Sequence, residues 1–283
     1  MAAIIDGLLI APPYACLAVA YGLLYTLGVM DLSVPVRFAA AAYAGWFCSD
    51  VLEWYPAGDP IVLAAAVTCS IAVSAAVWWF LRPLTRFDSL AVLVGSLGLS
   101  IVCRSILQLL FGASPKVYLS YPVESGIDIL GTTATPLQIA AFVYAVFAVS
   151  TVTLMLRYRD WGRQLIATAS DSEVSQAVLG IPKNRVEWMT ILVTSAVIAP
   201  AAVMHAAGHG VSPATGFDIG LLAFVGTIVT GKERPIMSTV TVVTLVVLRS
   251  VGIRWGILSV AALVAALVTI CILFFGGDAR TTR

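Results

Sequence analysis

Charge is scarce in this sequence. Sixteen Lys or Arg and 15 Asp or Glu make up only 11% of 283 residues, where soluble domains carry about 25%. With 60% apolar residues and a mean hydropathy of +0.99, too little polar side chain remains to coat a globule of this size. A net charge of +1 leaves no basic excess for a nucleic-acid partner. There are two histidines, and none of the five cysteines (Cys16, Cys48, Cys69, Cys103, Cys271) forms a CxxC or a Cys/His pair. No metal site and no disulfide framework is expected from them. The N-terminus lacks the basic stretch of a signal peptide and carries Asp6 instead, so the first apolar run is expected to be retained. The chain reads as an integral membrane protein.

What it has in abundance is apolar runs of about 20 residues, the length a hydrocarbon crossing needs. They fall roughly at 4–29, 36–55, 60–81, 89–111, 135–156, 188–207, 219–231, 235–251 and 255–275. Such runs are too long for barrel strands, and an open sheet cannot satisfy its backbone in lipid. The expected fold is all-α: a polytopic membrane protein of about eight or nine transmembrane helices, a single domain over 1–283. The segments around 31–37 and 219–231 are candidates for a broken or re-entrant helix. Arg82, Arg86, Arg157, Arg159, Arg163, Lys183, Arg185, Arg280 and Arg283 fall in alternate connections. The positive-inside rule makes those cytoplasmic, with the N-terminus outside and the C-terminus inside.

The longest hydrophilic stretch, 157–187, gathers nine charges. Within it Ser170-Asp171-Ser172-Glu173 reads as a capping box. It opens a short helix with Val174, Ala177 and Val178 on one face, stopped by Gly180 with Pro182 beyond. A capped helix with a small-residue apolar face suits the docking of a cytoplasmic partner.

Other motifs carry less. Gly226-Thr-Ile-Val-Thr-Gly231-Lys232-Glu233 nearly spells a phosphate-binding loop, but Glu233 stands where a Ser or Thr would hold Mg²⁺. Any nucleotide must therefore sit on another chain. His205 and His209 share a helical face near an outer helix end, with no third ligand beside them. A role at the outer mouth or interfacial hydrogen bonding accounts for them better than a metal. Most Trp lie near run ends, as an interfacial belt requires. Arg104 lies inside the run 89–111, with Gln108 one turn on. An uncompensated charge there is costly, which leaves two readings: attraction of a substrate carboxylate, or a buried pair with an acidic partner, for which Asp31 is the nearest candidate.

The stretch Gly162-Arg-Gln-Leu-Ile-Ala-Thr-Ala-Ser-Asp-Ser-Glu-Val-Ser-Gln-Ala-Val-Leu-Gly-Ile181 resembles the cytoplasmic loop of the branched-chain amino acid ABC transporter permeases. Gly162, Arg163, Ala167, Ala169, Asp171, Ala177, Leu179, Gly180, Ile181 and Val186 match. Arg82-Pro83-Leu84, the helix start at 95–100 and the opening 7–33 resemble further family motifs in the same order. Two departures stand out: Asp31-Leu-Ser-Val-Pro-Val-Arg37 and Val229-Thr-Gly-Lys-Glu-Arg-Pro235 replace the family's usual turns. The resemblance implies a permease subunit of an ATP-driven importer, not itself an enzyme, in the bacterial inner membrane. Its partners would be a like or homologous permease, cytoplasmic ATPase subunits that hold ATP and Mg, and an extracytoplasmic solute-binding protein. The coupling residues would be Gly162, Arg163, Ala167, Asp171, Glu173, Ala177, Leu179, Gly180 and Ile181. Asp31, Arg104, Gln108, His205 and His209 are the translocation-pathway candidates. The implied solute is a branched-chain or other amino acid. A permease for urea or a short amide, and a stand-alone secondary transporter coupled to ions, are the alternatives, though the latter has no need of a docking helix.

Overall fold

The computed structural model describes residues 2–52, 59–87, 89–118, 126–129, 131–170, 180–231 and 235–254. The expected run 255–275, the capping-box residues Asp171 to Glu173, and Ala177 and Leu179 lie outside them.

Two helices open the chain, α1 (Ala2–Ile10) and α2 (Pro12–Thr26), followed by α3 (Val34–Trp46) with a π-helical extension, Phe47–Val51. Next come α4 (Pro60–Leu81), which runs into a 3₁₀ turn at Arg82–Arg86, and α5 (Ser89–Phe111). A short antiparallel hairpin, β1 (Ile127–Ile129) and β2 (Thr132–Ala134), precedes α6 (Pro136–Tyr158) and α7 (Asp160–Ser170). The remainder is α8 (Lys183–His209), α9 (Phe217–Thr230) and α10 (Pro235–Arg254).

The starts and stops follow local chemistry. Pro60 and Pro136 occupy first turns, where a missing N–H is harmless. Asp59 accepts from the Ile61 amide at 2.9 Å, and Thr135 and Gln138 form a reciprocal capping box. The run expected at 4–29 is not one helix: Pro12-Pro13 break it at Ala11, and the two halves meet at 51°.

Five helices are long and apolar enough to cross a membrane: Pro60–Arg86, Ser89–Phe111, Pro136–Tyr158, Lys183–His209 and Pro235–Ile253. The bent α1–α2 pair makes a sixth. The eight or nine crossings expected from hydropathy are therefore not reached among the described residues. The run at 36–55 corresponds to α3 continued by its π-helical extension, and the run at 219–231 to a helix of 14 residues, about 20 Å and short of a full span.

α2 and α3 form the centre. Fourteen of the 15 residues of α2 and 11 of the 13 of α3 are buried, whereas α5 and α6 keep most of their surface outward. α2 packs on α6, α8, α9 and α10; α3 packs on α4 and α8. Glycine permits the closest approaches: a Cβ on Gly22 would lie 2.5 Å from the Pro235 carbonyl oxygen, and one on Gly7 2.8 Å from Val247 Cα. Ser238 Oγ donates to the Ala18 carbonyl at 3.0 Å in the same seam.

The two ends of the bundle differ. Glu187 Oε2 lies 3.8 Å from Arg82 Nε and Trp161 Nε1 donates to the Val186 carbonyl, so the basic segments around 82–86, 157–163 and 183–185 share one end. At the other end Lys116 and Val211 exchange backbone hydrogen bonds of 2.8 Å. There Tyr118 Oη also donates to the Ala42 carbonyl at 2.6 Å.

Candidate functional site

At the basic end the predicted coupling segment is more structured than a loop. α6 turns directly into α7, and Gly162 makes the turn possible: a Cβ there would stand 2.3 Å from Leu156 Cα. α7 is amphipathic, burying Trp161, Leu165 and Thr168 at i, i+4 and i+7 while Arg163 and Ile166 stay exposed. Arg163 bonds Asp160 at 2.5 Å, but the side chains are 67% and 84% exposed, so this pair contributes little stability. Ala167 packs against the core from a partly buried position. Ser170 is the last residue of α7, and the short helix expected to follow it lies outside the described residues. Gly180, with φ +63°, takes the left-handed conformation that suits a helix stop. Ile181 is buried beyond it.

Deeper in the bundle, the turn between α2 and α3 lies within the apolar layer. The Leu32 amide donates to Ser96 Oγ at 2.9 Å, and Ser96 stands in the interior of α5, away from either terminus. The expected acid–base pair exists here with a different base. Asp31 Oδ2 binds Arg37 Nη2, Asp31 Oδ1 accepts from the Ser33 amide at 2.7 Å, and Arg37 also donates to Ser33 Oγ at 3.1 Å. Both side chains are at most 1% exposed. Asp31 therefore does not compensate Arg104. The signal available in sequence was its spacing from Arg37, across a proline that starts a helix and brings position 37 back over the turn. The amino ends of α3 and α9 meet beside this pair: a Cβ on Gly216 would be 3.1 Å from the Pro35 carbonyl oxygen, and one on Gly220 3.3 Å from Tyr21 Oη.

Arg104 and Gln108 lie on the outward face of α5, and both are exposed. The α5 face turned inward carries Val92, Ser96, Ser100 and Leu107.

At the far end, the bend between α1 and α2 leaves a cavity of about 360 Å³ bordered by α6 and α8. Pro12, Pro13, Tyr14, Gln138, His205 and His209 line it among others. The two imidazoles stack at 4.6 Å between ring centroids, and His209 Nδ1 is 3.1 Å from the His205 carbonyl oxygen. Arg249 Nη1 donates to Tyr14 Oη at 3.0 Å beside them. Among the described residues no third metal-binding side chain joins the histidines.

A hydropathic bundle with a broken first helix, short central helices and a structured basic connection has close counterparts in sequence. The family described as the permease component of branched-chain amino acid transport systems matches residues 3–273. The chain belongs to this family. Among its curated members, the high-affinity branched-chain amino acid transport system permease protein LivH of Escherichia coli is 24% identical over 238 residues, covering 80% of this chain and 77% of the relative. BraD of Pseudomonas aeruginosa, with the same description, is 25% identical over 240 residues, covering 81% and 78%. In structure, the chain is similar to an inward-facing conformation of a metal-chelate type ABC transporter. The TM-score is 0.51 and the identity 16%, over 99% of this chain and 86% of that one. At that identity the likeness establishes the fold alone.

Among the described residues, Asp31 and Arg37 form the most deeply buried ion pair. Sequence reasoning singled out Asp31 and missed Arg37. It also missed α7, because a helix with a three-residue buried stripe inside a charged segment reads as solvated loop. Glu187 went unassigned too. It is 3% exposed and faces the Arg82-Pro83-Leu84 turn, joining the two motifs that carry the family resemblance at this end of the bundle.

Proposed function

We propose that this chain is one permease subunit of an ATP-driven importer, moving a small polar solute, foremost a branched-chain or other amino acid. The observation that carries the reading is the family match over nearly the whole chain, set on a bundle of membrane-length apolar helices. A like or homologous permease completes the pathway, cytoplasmic ATPase subunits hold ATP and Mg, and an extracytoplasmic binding protein delivers the solute. The basic end faces the cytoplasm of a bacterial cell, with the N-terminus outside and the C-terminus inside.

The segment 157–187 is the docking surface. A rigid base supports this role: α7 is fixed to α6 by the Gly162 turn and to α8 by the bond from Trp161. A push on the segment would thereby reach two membrane helices directly. Coupling requires such a connection, because a ligand or partner shifts an equilibrium only through differential contacts with its states.

Replacing Ala177 or Gly180 by a bulky charged residue tests this assignment. ATP hydrolysis should continue while uptake stops, at unchanged membrane level of the protein. Normal uptake in such a variant would remove the segment from the mechanism.

A further inference from the structure

α5 presents two unlike outward sides. Val102, Ile106 and Leu109 are 53%, 48% and 86% exposed and form an apolar side suited to hydrocarbon. Leu90, Val94, Leu97 and Ile101 are exposed too, and their spacing of three and four residues continues into Arg104 and Gln108, with Gly98 and Ser105 beside them, so this second side turns from apolar to polar over its last two turns. A Cβ on Gly98 would meet nothing within 4 Å, so that side is open.

Hydrocarbon cannot cover it. A guanidinium stays charged in any protein environment, and Arg104 stands seven residues from the end of α5 at Phe111, about 10 Å along the axis. The Cα–Cβ bond in a helix tilts toward the N-terminus, so Arg104 leans away from that nearer end. Nor does an acid among the described residues neutralise it. Asp31, the acid expected to do so, is held by Arg37 and the Ser33 amide. Among the described residues, no ion pair or hydrogen bond reaches the Arg104 side chain. Ser105 Oγ turns back to the Ile101 carbonyl at 3.0 Å, leaving Gln108 as the polar neighbour one turn on.

We infer that this side of α5 lines the water-filled pathway between this chain and the second permease subunit, where Arg104 is the cation that attracts a solute carboxylate. The inference rests on the importer reading above and deepens it by naming the chemical class. A guanidinium offers a planar pair of N–H groups that matches a carboxylate, and Gln108 extends the donor set. Leu97 and Ile101, 39% and 60% exposed, border the same side and suit an aliphatic side chain. Neutral amides such as urea have no use for the charge.

The test uses the assembled importer in membranes, with the five native cysteines replaced and a single cysteine introduced as Ser105→Cys. Anionic sulfonatoethyl and cationic trimethylammonioethyl methanethiosulfonates are the probes. Both should react, and leucine should slow them. The ratio of anionic to cationic rate should fall roughly tenfold when Arg104→Gln is added, as expected for a focused local field. In parallel, Arg104→Gln should lower leucine uptake tenfold or more at equal membrane level, with Arg104→Lys in between, because it keeps the charge and loses the planar fork. A Ser105→Cys thiol inert to both reagents would overturn the inference, since the side would then face lipid or protein. So would a rate ratio indifferent to Arg104, or full leucine uptake with Gln at 104. ATP-driven uptake of urea with none of leucine would overturn the carboxylate assignment while leaving the importer intact. Leucine uptake independent of ATP would instead sink the importer reading, and the thiol rates would still report on α5.

Discussion

Breaking the Asp31–Arg37 pair should destabilise the protein more than any other single charge change among the described residues. Both side chains are at most 1% exposed, and the pair is reinforced by the Ser33 amide and hydroxyl. Among the described residues Arg37 Nε and Nη1 have no further partner, so Asp31 carries nearly all of the compensation found there. In Asp31→Ala the guanidinium keeps only Ser33 Oγ. Removing one member of a buried pair costs about 3–5 kcal/mol, a large part of a typical folding free energy of about 5–15 kcal/mol. The apparent Tm of the detergent-solubilised protein, read by fluorescence-detected size exclusion after heating, should fall by roughly 6–20 °C. Asp31→Ala/Arg37→Met should recover most of that loss, because an apolar replacement of a whole buried pair is often neutral or stabilising. An Asp31→Ala single variant with the unaltered Tm would refute the reasoning. A double variant as unstable as the single one would show that packing at the turn, and not charge, is what Asp31 supplies.

Burial holds the Tyr118 phenol well above its ordinary range. The unfolded phenol ionises near pH 10, so its contribution is complete below that pH and is lost as pH rises toward the higher folded value. The alkaline fall in stability should be shallower in Tyr118→Phe, which also loses about 1 kcal/mol at neutral pH with the bond to Ala42; identical alkaline limbs would contradict this. Orientation is checked by single cysteines at Ser114 and Arg159, both exposed. An impermeant thiol reagent added to intact cells should label the first and spare the second, and the reverse pattern would invert the topology.

Hydropathy located the membrane helices α4, α5, α6, α8 and α10 well, because each is a long apolar run with charges at its ends. It is less decisive where the run belongs to a short buried helix: protein surrounds the apolar α3, and one-dimensional hydropathy does not separate protein burial from lipid burial. Pro12-Pro13 were visible, but whether a proline pair bends a span or begins a second helix depends on neighbours. For ionic sites, sequence ranks residues by depth and not by azimuth. Asp31 was placed at the junction of two runs and Arg104 inside one, yet Asp31 is buried in the core and Arg104 is exposed. Arg37 was passed over as a residue at a run boundary, although Pro35 starts a helix that folds position 37 back toward Asp31. Gly162 was legible as part of a motif, but its reason, the contact with Leu156 Cα, is tertiary.

Under the proposed function, ATP on partner subunits drives solute movement through this chain. The most direct measurement is leucine uptake into proteoliposomes holding this permease, its partner permease, the ATPases and the binding protein, with ATP supplied on the ATPase side. Uptake should require ATP and Mg²⁺, stop when hydrolysis is blocked, and persist when ionophores collapse the proton and sodium gradients. Uptake that survives ATP removal and disappears with an ion gradient would contradict the account and make the chain a secondary transporter.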